Sequence, residues 1–348
     1  MNSKQWVKWF LVLCTATVVA FAGIMYMTDP LLRYGKESGL FSYYQYSELY
    51  SNPGIARNYD YDTVMVGTSM IENTDVAQCN ELFDCNMVRL PYSGGHCYNM
   101  KKILDICFES KQELKAVYWE LDEFQLLSDH TVARYPLPEY LYRRDHKEDL
   151  SYLLNLDIFY HYTINNVLGT IRGETQPAAR TGETLSGDFS REGALRSYSR
   201  PQQITEKKEF DYFKNVFELN LKYNIVPLIE ENPNTQFVFF MVPFSMLFWD
   251  REMRSGTFDA TVYALECAID HLLDYDNVKI YFYRDRWDVA EDLDNYKDYI
   301  HYGAWINSEV SLWIAADEGR VTRHNYQEIL DGLRAFVYAY DFESIFKQ

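Results

Sequence analysis

Hydrophobic positions follow three different patterns along the chain. The first is a run from Trp9 to Met27 without a charged residue. As a helix it would rise about 28 Å, close to the thickness of a hydrocarbon core, which predicts a membrane span. Lys4 and Lys8 precede the run and Asp29-Pro30 ends it. Positive charge on the amino-terminal side predicts that the N-terminus is cytoplasmic and everything after the span lies outside. A signal peptide cut after Ala20-Phe21-Ala22 is the competing reading. The apolar run continues to Met27, which favours an uncleaved anchor over residues 1–28.

The second pattern is a series of short apolar runs separated by helical spacing. Residues 62–67, 86–90, 116–121, 236–242 and 278–283 predict strands, with helices over about 71–83, 98–110, 258–275, 304–315 and 326–346. Strands buried on both faces and alternating with helices predict a five-stranded parallel sheet in a three-layer α/β/α domain spanning residues 59–348.

The third pattern interrupts the second. Residues 125–235 hold no core strand. Helical spacing returns over 140–169 and 210–229, and 173–200 is rich in Gly, Ser, Thr and Arg, as a loop would be. The stretch follows the third strand, which predicts a helical insertion placed as a lid or a substrate-binding wall; a peripheral helical cap is the plainer alternative. Residues 29–58, rich in Tyr, Ser and Gly, have no clean period and read as a stalk.

Composition narrows the function. Lys and Arg total 33 against 51 Asp and Glu, a net charge of −18. That argues against nucleic acid as a partner and against a folded domain lying on an anionic leaflet. It is compatible with a neutral or cationic polymer. Thirty Tyr residues offer faces for sugar rings, although Tyr also suits half-buried positions. Outside the span the cysteines are Cys79, Cys85, Cys97, Cys107 and Cys267. Cys79 and Cys85 could close a small loop or stay as buried thiols, and no Cys/His spacing suggests zinc.

The candidate chemistry starts where the first strand ends, at Gly67-Thr68-Ser69. On an open α/β sheet, sites form outside the carboxyl ends of the strands. A serine there needs a base, an orienting acid and an oxyanion hole. The run Asp298-Tyr299-Ile300-His301 supplies the first two: a carboxylate three residues before a histidine can hold Nδ1 and leave Nε2 for the serine proton. The turn Ser93-Gly94-Gly95-His96 after the second strand can supply backbone N–H groups. His130, His146, His161, His271 and His324 read as structural. No cofactor or metal is called for, since the base activates the serine.

This arrangement resembles the SGNH (GDSL-like) hydrolase superfamily over about residues 59–315. Gly67-Thr68-Ser69 stands where the family has its nucleophile block, Gly94 or Gly95 where the second block's glycine lends an N–H, and Asp298 and His301 where the last block has D-x-x-H. By that resemblance Ser69, His301 and Asp298 form the catalytic triad, with the N–H groups of Ser69 and Gly94 or Gly95 as the oxyanion hole. An α/β-hydrolase is disfavoured because G-x-S-x-G is lacking. Two departures stand out. Thr68 replaces the family's Asp, and Trp119-Glu120-Leu121-Asp122 lacks the third block's Asn, putting an acid where an oxyanion donor is expected. His96 or a Tyr could supply the donor instead. An anchored, outward-facing domain of this type resembles proteins that acylate surface polysaccharides or teichoic acids. Their partners are the polymer and a membrane-bound O-acyltransferase. That implies a serine acyl-esterase or O-acyltransferase. The alternatives are a non-catalytic glycan-binding component of such an assembly and a lipid esterase at the membrane surface.

Overall fold

The computed structural model describes residues 2–35, 39, 41, 43, 47–111, 113–143, 145, 147–173 and 186–347. The chain forms two compact units. One comprises residues 1–59 and 136–181, the other 60–135 and 182–348. His146, and residues 174–185 of the expected loop, lie outside the described residues.

The second unit is built on a sheet whose strands are β1 (Thr63–Gly67), β2 (Met87–Pro91), β3 (Ala116–Glu120), β4 (Gln236–Met241), β5 (Val278–Phe282) and β6 (Arg320–Val321). Their spatial order is β2-β1-β3-β4-β5-β6. The first five are parallel and β6 runs antiparallel to β5. The sheet therefore has six strands and not five. Arg320-Val321 carries no apolar run, and only its pairing with Tyr281 and Ile280 makes it a strand. Strands β1 and β2 are buried along their whole length, and β3, β4 and β5 nearly so, as parallel sheets covered on both faces are. Trp119, Phe237 and Phe239 fill the centre of this core.

Because β2 and β3 lie on opposite sides of β1, the order reverses at β1/β3. The loops that leave the carboxyl ends of those two strands diverge and open a crevice there. Close packing fixes the end of β1. A Cβ on Gly67 would sit 2.7 Å from Cβ and 2.9 Å from Oε2 of Glu120, at the end of the neighbouring strand. The helix after β1 starts at Val76, later than residue 71. Asp75 caps it by accepting from the N–H groups of Ala77 and Gln78, and residues before the cap form a turn. All six cysteines are free thiols, so Cys79 and Cys85 are not bridged; Cys79 packs by Ser311 (Sγ···Oγ 3.5 Å).

The first unit begins with a helix, Ser3–Thr28, long and apolar enough to cross a membrane. It ends at Asp29, whose backbone is left-handed (φ 33°). The Asp29 carboxylate accepts from the N–H groups of Arg33, Tyr34 and Gly35 and from the Tyr152 hydroxyl. The stretch expected as a stalk carries a helix, Glu48–Asn58. Arg57 at its end donates to the carbonyls of Leu141 and Tyr142. Of the insertion, residues 136–181 join this unit and 182–235 join the sheet.

Gly67→Ala tests the packing that ends β1. Overpacking of this kind costs about 1–3 kcal/mol. The midpoint of urea unfolding of the detergent-solubilised chain is expected to fall accordingly; an unchanged midpoint would mean that Glu120 is not held against this strand.

Candidate active site

Directly past β1, Thr68 turns the chain. Its N–H donates to Glu120 Oε2 (3.0 Å), and its hydroxyl lies 3.0 Å from the same oxygen and 3.3 Å from Asp122 Oδ2. The Thr68 hydroxyl also caps the short 3₁₀ turn Ser69–Ile71 by accepting from Met70 N–H. This holds Ser69 as the first residue of the turn, with its side chain in the crevice.

The Thr68 hydroxyl has one proton and faces two carboxyl oxygens, so both contacts are favourable only if the acids share a proton. Burial pushes the carboxyls of Glu120 and Asp122 upward, and Asp122 adds to the rise at Glu120 as Glu123 does to that at Asp122. Glu120, fully buried, is pushed upward first by burial and then by Asp122, which favours its protonated form. Asp122 is bonded by Gln125 N–H (2.7 Å) at the start of a helical turn. Next along the chain, Glu123 forms a buried ion pair with Arg284, whose guanidinium stacks 3.4 Å over Phe244. Three acids at the end of β3 thus share one arginine, and burial raises the proton affinity of two of them.

The histidine comes from the far end of the sheet. Residues 295–303 form a loop closed by backbone bonds from Lys297 N–H to His301 O (3.0 Å) and from Gly303 N–H to Asn295 O (3.0 Å). Ser245, just past β4, pins it by donating to Tyr299 O (2.7 Å). Within the loop, Asp298 Oδ1 accepts from the N–H groups of Ile300 (2.9 Å) and His301 (2.8 Å), and Oδ2 meets His301 Nδ1 at 2.7 Å. Burial raises the Asp298 carboxyl's proton affinity, but the bonds from His301 and the two N–H groups outweigh it and hold the pKa below the usual carboxylate range. An ionised carboxylate only accepts, so the proton of the ring sits on Nδ1. Nε2 is then an acceptor, and it lies 2.7 Å from Ser69 Oγ.

Serine loop and histidine loop are also tied to each other. Tyr302 (3.2 Å) and Asn307 (2.7 Å) both donate to the carbonyl of Met70, the residue after the serine, and Asn307 reaches Thr74 as well. Tyr302 and Asn307 lie in the same short run as the histidine, but nothing in their spacing announces a partner 232 or 237 residues away.

The glycine turn separates into two roles. Gly95 gives its N–H to Tyr92 O (2.7 Å) and closes the turn. Gly94, with φ 62°, lines the cleft. Neither Gly94 nor Ser69 gives its N–H to another described residue. The cleft over Ser69 and His301 has a volume of about 570 Å³ and is also lined by Asp122, Phe124, Arg134, Tyr135, Arg251 and Tyr299. Glu120 is not in the lining; it is turned under the elbow. Of the two acids expected to repel an oxyanion from this position, Glu120 is therefore out of reach, whereas the Asp122 carboxyl lines the cleft. His96 does face the cleft, with Nδ1 on Val132 O (3.0 Å), which leaves Nε2 open.

Arg134 and Arg251 were not foreseen. Arg33, Arg200, Arg284, Arg286, Arg323 and Arg334 each hold a carboxylate. Arg134 and Arg251 have no carboxylate partner among the described residues; they lie over Tyr135 and Tyr299. Arg134 is beside Gly94, and Tyr299 is next to Asp298. Single arginines in unremarkable sequence carry no local signal.

Compared with protein-family models, curated proteins and solved structures, the chain finds no match.

The raised proton affinity of Glu120 has a signature in stability. Glu120 binds its proton more tightly folded than unfolded. Its contribution is therefore full at low pH and is lost as pH rises from the ordinary carboxyl range through the raised value. Asp29, Glu252 and Asp285 are raised by burial too. Between about pH 5 and about pH 8, the urea midpoint of the wild-type chain is expected to decline more steeply than that of Glu120→Gln, which keeps an acceptor for Thr68. Parallel slopes would show that Glu120 is ionised throughout.

Proposed function

We propose that this protein is a membrane-anchored serine acyl-esterase or O-acyltransferase of the SGNH type, with its three-layer domain outside the cytoplasm. The observation that carries the reading is the unbroken relay of 2.7 Å contacts, Ser69 Oγ to His301 Nε2 and His301 Nδ1 to Asp298. Ser69 Oγ attacks the acyl carbonyl as His301 Nε2 takes its proton. The carbonyl oxygen, now negative, is held by the N–H groups of Ser69 and Gly94. His301 then protonates the departing oxygen and leaves the acyl group on Ser69. In the second half, water or a sugar hydroxyl gives its proton to His301 and attacks the acyl carbon, which returns Ser69. Asp298 keeps the ring oriented and stabilises the imidazolium. Lys4 and Lys8 before the span set the orientation. A surface polymer is the acceptor or substrate, and a membrane-bound O-acyltransferase is the partner that would supply acyl groups.

Arg134 and Arg251 refine the substrate. Two guanidinium groups without carboxylates, one by the glycine turn and one by the histidine loop, suit an ester whose sugar or polymer carries an anion near the scissile bond. The chain's net charge of −18 by itself suits a neutral or cationic polymer, so these two arginines are the feature that would attract an anion. Phe124, Tyr135 and Tyr299 in the lining favour a second reading, in which the cleft holds a glycan without reacting.

A fluorophosphonate probe and p-nitrophenyl acetate separate the two. Labelling and hydrolysis are expected in the wild type and not in Ser69→Ala or His301→Ala, and Asp298→Asn is expected to lose on the order of 10⁴ in kcat. Labelling that survives Ser69→Ala would refute the serine mechanism; glycan binding with no labelling at all would favour the second reading.

The anion preference has its own measurement. The ratio of kcat/KM for 4-acetoxybenzoate to that for phenyl acetate is expected to fall roughly tenfold in Arg134→Gln or Arg251→Gln, and to shrink with added salt in the wild type. A ratio that ignores both substitutions would contradict it.

A further inference from the structure

In the first unit, the helical stretch 149–171 exposes the side chains a water-soluble domain would bury. Leu150, Leu156, Tyr160 and Ile171 are 69%, 69%, 66% and 76% exposed, and Leu154 and Leu168 are exposed as well. Residues 158–171 contain no Asp, Glu, Lys or Arg. From Leu156 onward the exposed positions 156, 160, 168 and 171, with half-buried Ile164 between them, recur at helical spacing and make one apolar stripe. The opposite face, with Ile158, Tyr162, Thr163 and Asn166, is buried in the unit. Polar Asp157, His161 and Asn165 form a separate edge that lines a cavity with Tyr50 and Asn155. The backbone is helical from Leu156 to Ile171, including a π-helical turn at Phe159–Thr163, so its polar groups are satisfied internally.

What covers this stripe follows from its neighbour. The N-terminal helix is exposed through residue 20 and partly covered beyond it. The cover is this same stretch. Phe159 packs on Phe21 (ring centroids 5.0 Å apart), and Thr163 lies 3.5 Å from both Met25 Sδ and Thr28 Oγ1. Phe21 is six residues inside Met27, the end of the uncharged run, so its level is about 9 Å below that end along the helix axis. A segment that touches Phe21 must enter the bilayer to the same depth as Phe21 does. A depth of roughly 5–10 Å is where an amphipathic helix rests at the boundary of headgroups and acyl chains.

We infer that residues 150–171 form a second membrane-contacting element, seated in the leaflet at the carboxyl end of the N-terminal helix with Leu150, Leu154, Leu156, Tyr160, Leu168 and Ile171 against lipid. The inference rests on the proposed membrane span and does not depend on the chemistry of Ser69. Asp157 and His161 turn to the cavity edge and stay out of the acyl region. A single spanning helix can tilt and rotate freely; a second contact, joined to it through Phe21, Met25 and Thr28, fixes the rotation of this unit about the helix axis relative to the bilayer plane.

The test is photolabelling of the full chain in phosphatidylcholine vesicles that contain a phosphatidylcholine with a diazirine in its acyl tail. Trypsin should release residues 9–33 and 148–172 as separate peptides, since Lys8, Arg33, Lys147 and Arg172 bound them. Lipid adducts are expected on both. Adducts on 9–33 alone would overturn the inference and leave the span standing; adducts on neither would overturn the span and the inference with it. Replacing Leu156 and Tyr160 by Asn is expected to lower the yield on 148–172 several-fold, and an undiminished yield would remove this stripe as the lipid-facing surface.

Discussion

The carboxylate of Asp298 is the constraint on which the rest of the cleft depends. It accepts from two backbone N–H groups through one oxygen and from the His301 ring through the other. The same side chain therefore shapes the loop, aims the ring and selects its tautomer. A histidine held only by its ring partner could swing with the loop. Here the loop cannot change shape without breaking bonds to the acid that orients the ring. Ser245 then fixes the loop to the segment after β4, and the bridge between Tyr296 and Tyr302 closes it.

Opposite Asp298 stands a second acid arrangement with a different purpose. Glu120 and Asp122 are both buried and both hold Thr68, and of the two only Asp122 lines the cleft. Isolated buried charges would be costly. The cost is limited by the Arg284–Glu123 pair and by the raised proton affinity of Glu120, which favours its neutral form. The elbow is thus supported by Glu120, which accepts from Thr68, in a position where the sequence suggested only repulsion. The negative charge of Asp298 stays on the far side of the imidazole, where it favours imidazolium.

Much of this was legible in the sequence, and the limits follow range of interaction. The five parallel strands show as apolar runs because both their faces are buried. β6 is invisible because two residues have no period, and pairing alone defines it. The Asp298–His301 bond is legible because it is local: three residues fix both ends. The contacts of Tyr302 and Asn307 with Met70 are not, because they depend on where the chain returns after crossing the sheet. Glu120 could be placed at a strand end but not given a direction, since the close approach of Gly67 decides it. Gly94 and Gly95 are equivalent in sequence; the bond from Gly95 to Tyr92 and the left-handed backbone of Gly94 in the cleft wall tell them apart. Residues 29–58 lack a clear pattern because Asp29, Arg33 and Arg57 find their partners more than eighty residues away, at Tyr152, Asp149 and Leu141.

The central claim is that Ser69, His301 and Asp298 act as one unit with the N–H groups of Ser69 and Gly94 facing the oxygen that becomes negative. A crystal structure of the chain inactivated by a fluorophosphonate tests it most directly. The account predicts phosphorus bonded to Ser69 Oγ, with the phosphoryl oxygen within hydrogen-bonding distance of both N–H groups and His301 still on Asp298. An adduct on another residue, or a phosphoryl oxygen turned away from Gly94 toward solvent, would contradict it.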